Sequence, residues 1–452
     1  MDDNTRATAD RPGGAASDER VTAGSGDSRA IQAIAQEETL APQIAPTTIA
    51  MPAVIRALRN RDFRLFWGGN FLSNVGTWME NVAQSWLVLS LAPTNSAFWL
   101  GVIGFASTAP MLMFSLLGGV MADRVNRRKL MMVTQTSLML IAFTLWALTA
   151  LDRINIPLIV LIAFANGLVM SLNSPAYQSL VPQLVPREDL TNAIALNSAQ
   201  FNMSRVLGPT LGGFAMAIFG VAGNFLLNAV SFVAVLFALS RITYPPVYPP
   251  EDTGIWETLA DGFRYLFSRR EMLLLIVLVA IASIFGFPYV IFVPLFARNI
   301  LHVSETGFGL LMAAQGGGAF LGAATIAYMK NIQCRGRFVV TWAVVFYLGV
   351  IAFTFSRNRI LSAVLLAIIG YAMVLTVATV NALLQHLSID KMRGRIMSMY
   401  ATAFLGFAPI GSILAGSLAE TFTAPHAIAA MSSVALLATL ALYFTQRELR
   451  CV

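Results

Sequence analysis

The chain has 452 residues, of which 57% are hydrophobic and only 12% are charged. Ordinary soluble proteins carry about 25% charged residues, so the composition excludes that class and indicates a membrane protein. The formal net charge of +7 comes from cations in separate short loops, which is typical of topology signals and not of nucleic-acid binding. Apolar runs recur from Phe63 to the C-terminus, and each is long enough to cross a bilayer as a helix of about 20 residues.

The chain begins with a segment unlike the rest. Residues 1–50 are rich in Ala, Thr, Asp, Gly and Ser and contain no apolar run, which predicts a disordered cytoplasmic tail. The apolar runs predict an all-α polytopic membrane protein with twelve helices in two six-helix halves, at 51–241 and 272–446. Residues 242–271 are predicted to form a cytoplasmic linker with an amphipathic surface helix, and residues 447–452 a second cytoplasmic tail.

The distribution of Lys and Arg predicts which ends face the cytoplasm. With both termini inside, twenty-one cations from Arg56 onward fall in cytoplasmic segments, and only Arg153, Arg298, Arg357 and Arg359 fall in external loops. Cation-rich loops stay on the cytoplasmic side, so both termini are predicted to be cytoplasmic. We expect a multi-pass protein of the cell (cytoplasmic or inner) membrane.

Polar side chains in the first span fall on one side of a helical wheel, and a looser polar group occurs in the fourth span. Such a stripe would be costly in lipid, so we expect it to face protein or a water-filled substrate cavity. Hydrogen bonding between helices is the alternative explanation. The predicted cavity residues are Asn70, Asn74, Thr77, Asn81 and Gln84 in the first span and Asn166, Asn173 and Tyr177 in the fourth.

Two ionisable side chains lie deep inside predicted spans. Glu80 is the only acid well inside any span, and Arg205 is the only cation at similar depth. A carboxyl group in a medium of low dielectric binds a proton readily, which makes Glu80 a candidate for proton coupling. Neither group is expected to stand alone in hydrocarbon, so the sequence predicts a Glu80–Arg205 ion pair, either permanent or loosened by proton or substrate binding.

The loop between the second and third spans joins an acid to a run of cations. Its pattern consists of Gly119, Asp123, Arg124, Arg127 and Arg128, with Lys129 after it. The second half contains a degenerate copy in which Ala327, Asn331, Arg335 and Arg337 stand in place of Gly119, Asp123, Arg127 and Lys129. Related halves of this kind are expected of transporters that rock one bundle against the other.

The fifth span carries a compact glycine–proline motif, Gly208, Pro209, Gly212 and Gly213, and Pro409 is its counterpart in the eleventh span. Glycines permit close helix approach, and the proline removes a backbone donor and bends the helix. Ordinary packing explains this motif as well as a tight contact between the two halves that limits leakage.

The chain offers little for metal, nucleotide or covalent chemistry. Its two cysteines and three histidines are scattered, which predicts no metal site. Both cysteines fall in segments predicted to be cytoplasmic, so no disulfide is expected. None of its three lysines follows a glycine, so the phosphate-binding Gly-Lys loop of ATPases does not occur. We expect no cofactor and no enzyme activity, and uphill transport would need an ion gradient or a partner.

The loop motif and the fifth-span motif resemble those of the major facilitator superfamily. Asn126 replaces the usual second glycine of the loop motif, and we expect it to tolerate a left-handed turn. The blocks Asp62–Trp67, Asn192–Ser198 and Arg393–Ser398 look like the branch that contains the enterobactin exporter and the transmembrane secretion effectors. The resemblance covers about residues 60–445.

The resemblance implies a cytoplasmic-membrane exporter of siderophores, antibiotics or other small amphipathic molecules, driven by protons. We expect it to be a monomer. It also implies that Asp123 meets the start of the eleventh span, where a helix N-terminus favours an anion, and holds the cytoplasmic side shut. A passive facilitator or lipid flippase of the same fold is the alternative. A non-transporting scaffold is a third class, and the polar stripes argue against it.

Overall fold

The computed structural model describes residues 53–242, 263–329 and 335–446. Within these ranges it describes the side chains except those of residues 53–54, 115–124, 327 and 390–391. The predicted tails at 1–50 and 447–452 lie outside the described residues. Of the predicted linker, only residue 242 and residues 263–271 are described, and residues 263–268 are helical.

The first half follows a 3₁₀ turn at Ala53–Arg59. Gly220 interrupts the long segment Leu190–Arg241 with φ 70 and ψ 178, a backbone conformation that glycine adopts with little strain. The helix before Gly220 is α5 and the helix after it is α6. The preceding helices are α1 (Arg61–Leu91), α2 (Ser96–Arg124), α3 (Arg127–Ala150) and α4 (Ile156–Leu180).

The second half also consists of six helices. Helix α7 (Arg270–Ile300) contains two π-helical turns, at Ala282–Gly286 and Phe296–Ile300. Pro288 and Pro294 each remove a backbone donor within it, which is consistent with this irregular winding. The others are α8 (Glu305–Tyr328), α9 (Arg335–Phe355), α10 (Arg359–Leu387), α11 (Asp390–Ala401 and Ala408–Phe422, joined by the π-helical turn Thr402–Gly406) and α12 (Ala424–Thr445).

The predicted twelve-helix architecture is confirmed. By length and composition, ten stretches of the described chain could cross a membrane, and one of them contains both α5 and α6. These stretches therefore hold eleven helices. The twelfth is α1, which has 31 residues and carries the polar stripe.

Glycines mark the closest approaches between the two halves. Gly101 of α2 faces Gly416 of α11, and Gly213 of α5 faces Gly309 of α8. A Cβ atom added to Gly213 would lie 3.0 Å from the Cα of Gly309, so the two backbones nearly touch. Both contacts lie toward the end of the bundle where α1 finishes and α2 begins, which we call the Ser96 end. The opposite end is the Arg127 end.

Aromatic and charged side chains add to the contact at the Ser96 end. Trp86 of α1 stacks on Phe308 of α8, with 5.8 Å between ring centroids. Arg298 of α7 lies 5.5 Å from the Trp86 ring centroid and donates a 2.9 Å hydrogen bond to Ser90. These contacts between the halves thus lie at this end and in the middle of the bundle.

The backbone of the loop between α2 and α3 differs from the left-handed turn that was expected at Asn126. Asn126 has φ −58 and ψ 111, so it does not adopt a left-handed turn. Its side-chain oxygen instead accepts a 3.1 Å hydrogen bond from the backbone N–H of Lys129. Asn126 is the N-cap of α3, and its value at this position comes from its side-chain acceptor.

Candidate transport site

The helix α1 presents different residues to α6, to α5 and to the predicted cavity. Gly69 and Gly76 pack against the backbone and side chains of α6, and Met79 packs against Gly212 of α5. At about 100° per residue, the stripe centred on Asn74, Thr77 and Asn81 points away from both neighbours. Asn74, Thr77 and Gln84 are partly exposed, Asn81 is exposed, and Asn70 is buried with its Nδ2 unpartnered. The stripe is therefore turned to a side of α1 that α5 and α6 do not cover.

Of the predicted cavity residues of α4, Asn173 is hydrogen-bonded to the neighbouring helix α3, whereas no such bond is described for Asn166 and Tyr177. The Oδ1 of Asn173 accepts hydrogen bonds from Thr134 Oγ1 at 2.9 Å and Gln135 Nε2 at 3.3 Å, both on α3. Asn173 thus makes the interhelical contact that was the alternative to cavity lining. Tyr177 packs its ring at 5.6 Å from that of Phe66 on α1, and Asn166 is half-buried.

Glu80 is buried beside α6, where its carboxylate accepts a hydrogen bond from Nδ2 of Asn228. Asn228 is also almost fully buried, and its Oδ1 accepts a 3.3 Å hydrogen bond from Ser231. Gly76 gives α6 room to come this close, because any side chain there would overlap Asn228 and Ser231. The carboxylate is therefore held by a neutral amide.

Arg205 lies near the middle of α5. It faces a side of α1 other than the one that carries Glu80. Its guanidinium carbon is 5.8 Å from the ring centroid of Trp78, in a cation–π arrangement. One terminal nitrogen lies 3.9 Å from the sulfur of Met373 on α10. The phenol of Tyr289 on α7 belongs to the same part of the bundle, because its partner Gln315 precedes Gly316, which packs against the backbone of Arg205. Gln315 of α8 donates a 2.8 Å hydrogen bond to that phenol oxygen. Helices from both halves meet at this point.

The predicted Glu80–Arg205 ion pair is wrong for this conformation. Among the described residues, neither Glu80 nor Arg205 takes part in an ion pair, whereas Arg56 pairs with Glu188 and Asp189. The physical reason lies in α1. Trp78, which carries Arg205 on its face, and Glu80 are two residues apart, so they project about 200° apart around the helix. Similar depth along a helix does not bring side chains on opposite sides together.

The glycine–proline motif of α5 is divided between two neighbours. Gly208 and Gly212 face Trp78 and Met79 of α1 within the same half. Gly213 and the carbonyl of Pro209 face Gly309 of α8 in the other half. The motif thus serves internal packing and contact between the halves together. Its counterpart Pro409 is buried in α11, the helix whose Gly416 faces Gly101.

The loop motif is described only in part. The structure describes the backbone of Gly119, Asp123 and Arg124 but not their side chains. The predicted contact of Asp123 therefore lies outside what is described. Arg128 donates hydrogen bonds of 2.6 Å and 2.8 Å to the carbonyl oxygens of Leu239 and Ser240, near the end of α6. A cation there satisfies carbonyls that have no partner within the helix. Arg127 is described and interacts with other groups.

Sequence reasoning missed the partners of the two ionisable groups. Gln315 is a lone amide in α8, whereas Asn228 is one of two asparagines in α6, with Asn224, and all three are buried. A lone amide at membrane depth is itself a signal that a polar partner lies nearby. Trp78 and Tyr289 carry no such signal, because aromatic residues are common in apolar spans.

Comparison with known proteins places this site in a family. The sequence model of the protein family described as transmembrane secretion effector matches residues 53–450. The chain belongs to the transmembrane secretion effector family of the major facilitator superfamily. As a member of that superfamily it is a multi-pass membrane transporter.

Relatives of this transmembrane secretion effector protein include transporters of siderophores and drugs. It is 24% identical to the staphyloferrin A transporter of Staphylococcus aureus over 86% of this chain and 97% of the relative. It is 28% identical to the enterobactin exporter of Citrobacter koseri over 83% and 89%. It is 24% identical to the multidrug efflux pump Tap of Mycolicibacterium fortuitum over 77% and 87%.

Solved structures show the same fold at low sequence identity. A bacterial homolog of the human lysosomal transporter Spinster, inward-facing and occupied, gives a TM-score of 0.69 at 13% identity, covering 87% of this chain and 97% of that one. A D-xylose–proton symporter gives 0.68 at 13% identity, covering 87% and 99%. The fold of the transmembrane secretion effector protein is therefore the major facilitator fold.

Proposed function

We propose that the protein exports a small amphipathic molecule, such as a siderophore, antibiotic or drug, in exchange for protons by alternating access. The names of the relatives support this substrate class, since they include transporters of two siderophores and a multidrug efflux pump. We further propose that it works as a monomer in the cytoplasmic (inner) membrane, as a six-helix half at 51–241, a cytoplasmic linker at 242–271 and a six-helix half at 272–446.

The observation that carries proton coupling is the setting of Glu80. It is buried and meets the amide of Asn228, and no cation of the described chain lies within ion-pair distance. A charged carboxylate in such a place is costly, and taking up a proton removes that cost. The amide of Asn228 can serve both forms, because it carries a donor for the carboxylate and an acceptor for the protonated acid.

Charge distribution orients the proposed cycle. With both termini cytoplasmic, the Ser96 end faces outward and the cation-rich Arg127 end faces the cytoplasm. The contacts at the Ser96 end then belong to an inward-facing state, in which substrate enters from the cytoplasm. The stripe on α1 is proposed to line the cleft, together with Asn166 and Tyr177 of α4.

The opposite closure is proposed to use the loop between α2 and α3. In the outward-facing state, Asp123 would meet the start of α11, with Gly119, Arg124 and Arg127 shaping the loop. Arg128 fits a supporting role, because it holds the loop to the end of α6. Asp123→Asn is expected to insert normally and to lower turnover. Wild-type turnover of that variant would remove the gate from the proposal.

The experiment that tests the function has two stages. Cells with and without the protein are compared for accumulation of siderophores, dyes and antibiotics, with and without a protonophore. Export that the protonophore abolishes is the expected result, and export that it leaves unchanged favours the passive facilitator or flippase. Absence of export of any compound contradicts the proposal.

The second stage tests Glu80 in proteoliposomes with an imposed pH gradient. Glu80→Gln is expected to lose gradient-driven transport of the exported compound while keeping exchange across the membrane without a gradient. Glu420→Gln is the matched control, since Glu420 is an exposed acid at the Ser96 end. Unchanged gradient-driven transport by Glu80→Gln rules out Glu80 as the coupling site.

A further inference from the structure

The hydrogen-bond donors around Arg205 exceed the acceptors that the described chain gives them. A guanidinium carries five N–H donors, and the acceptor that the described residues offer this one is the thioether sulfur of Met373, a weak acceptor. Tyr289 is buried and already accepts a hydrogen bond from Gln315, so its own proton is free to be donated. Among the described residues, that hydroxyl donates no hydrogen bond. Two donors thus face the same region from opposite halves of the protein.

No acid of the described chain serves as the counter-charge. Glu80 is the nearest candidate by depth, and it is engaged with Asn228 on the other side of α1. The Trp78 face attracts the guanidinium, and a ring quadrupole contributes much less than a paired anion. Among the described residues, this cation at membrane depth has a ring, a phenol and a thioether around it, and such a setting suits an anion that comes from outside the chain.

We propose that Arg205 binds an anionic group of the transported molecule, which makes the substrate an organic anion with an aromatic or apolar part. The anion accepts hydrogen bonds from the guanidinium of Arg205 and from the hydroxyl of Tyr289. The apolar part lies against Trp78 and Met373. A carboxylate or a phenolate supplies the required acceptor oxygens. The proposal rests on the transport function proposed above and names its substrate class.

The position of Arg205 connects binding to the motion between the halves. A Cβ added to Gly316 of α8 would lie 2.8 Å from the carbonyl oxygen of Arg205, so α8 packs directly on α5 at this residue. Arg205 and Trp78 belong to the first half, whereas Tyr289, Gln315 and Met373 belong to the second. An anion bound here is held from both sides of the contact that alternating access must break. Its binding therefore changes the balance between the two states.

Binding of a matched probe pair tests the proposal without any transport. The purified full-length protein in lipid nanodiscs is titrated with 2-naphthoate, an aromatic carboxylate, and with 2-naphthamide, its uncharged counterpart. We expect the wild type to bind the carboxylate about tenfold or more tightly than the amide, which corresponds to one charge-assisted contact. Equal affinity for the two, or no naphthoate binding at millimolar concentration, overturns the proposal.

Substitutions assign the preference to Arg205. Arg205→Gln is expected to lose the preference for the carboxylate while keeping its affinity for the amide, and Arg205→Lys to retain part of it. Arg298→Gln is the matched control, because Arg298 also lies over a tryptophan ring but has a hydroxyl partner. It is expected to keep the preference. A wild-type preference in Arg205→Gln overturns the proposal.

A second variant keeps the test decisive if Arg205→Gln does not fold. Tyr289→Phe removes one hydroxyl and no bulk, and it is expected to weaken naphthoate binding several-fold with no change for the amide. An unchanged naphthoate affinity overturns the proposed site. Glu80→Gln separates the two proposals. It is expected to lower gradient-driven transport strongly and to leave the naphthoate preference intact, whereas loss of that preference would mean that Glu80 governs Arg205.

Discussion

Glu80 and Arg205 lie at similar depth in the first half, and the fold treats them differently. Glu80 is buried against an amide that can accommodate it with or without its proton. Arg205 is only partly buried and lies where both halves meet, with no carboxylate of the described chain beside it. One ionisable group can thus be satisfied within one half, while the other is left for a partner from outside. We assign the proton to the first and the substrate anion to the second.

The double variant Glu80→Gln with Arg205→Gln gives the largest expected effect. If the two groups act at separate steps, their losses in gradient-driven transport multiply, to about 100-fold or more when each single loss is about tenfold. Transport rates of the wild type, both single variants and the double variant in proteoliposomes form the cycle. A double variant no slower than the worse single variant would mean that the two groups work as a pair.

Asn228→Leu tests the partner of Glu80. It leaves the carboxylate buried without its donor, and we expect the protein to lose about 1–3 kcal/mol of stability. Thermal unfolding in detergent measures the loss. Adding Glu80→Leu to the same chain is expected to restore most of the stability, because a polar pair replaced by apolar groups leaves nothing unsatisfied. No restoration would show that Glu80 has another partner.

Gly208→Ala tests how far Trp78 depends on α5. A Cβ at Gly208 would overlap the Cβ of Trp78 and approach the carbonyl oxygen of Val75, which lies 2.9 Å away. We expect a loss of about 1–2 kcal/mol from overpacking, together with weaker naphthoate binding as the ring moves. Gly317→Ala is the control, since nothing lies within 4 Å of a Cβ there. Equal stability of the two variants would contradict the packing.

Trp78→Leu has the smallest expected effect. It removes the ring beneath Arg205 and keeps an apolar side chain, so it should cost about 0.5–1 kcal/mol of stability through the lost cation–π contact. Trp86→Leu, under Arg298, is the comparison. Thermal unfolding of both variants with and without naphthoate is the measurement. Naphthoate should stabilise Trp86→Leu as it does the wild type and should stabilise Trp78→Leu less.

Much of this protein could be predicted from local pattern. Hydropathy predicts twelve helices because each apolar run must find its own hydrogen bonds inside the bilayer. The polar stripe of α1 could be predicted from helical period, and the structure turns it away from α5 and α6. The fate of Asn173 could not be predicted, because its partners Thr134 and Gln135 come from a different helix.

The helices, their polar faces and the presence of one acid and one cation at membrane depth follow from the order of residues along the chain. Which helix each face meets depends on how the helices pack. Trp78 and Glu80 are neighbours in sequence, yet the helix turns them to opposite sides, toward Arg205 of α5 and Asn228 of α6. Helix geometry fixes the angle between two side chains, but the packing of neighbouring helices determines what lies at each angle.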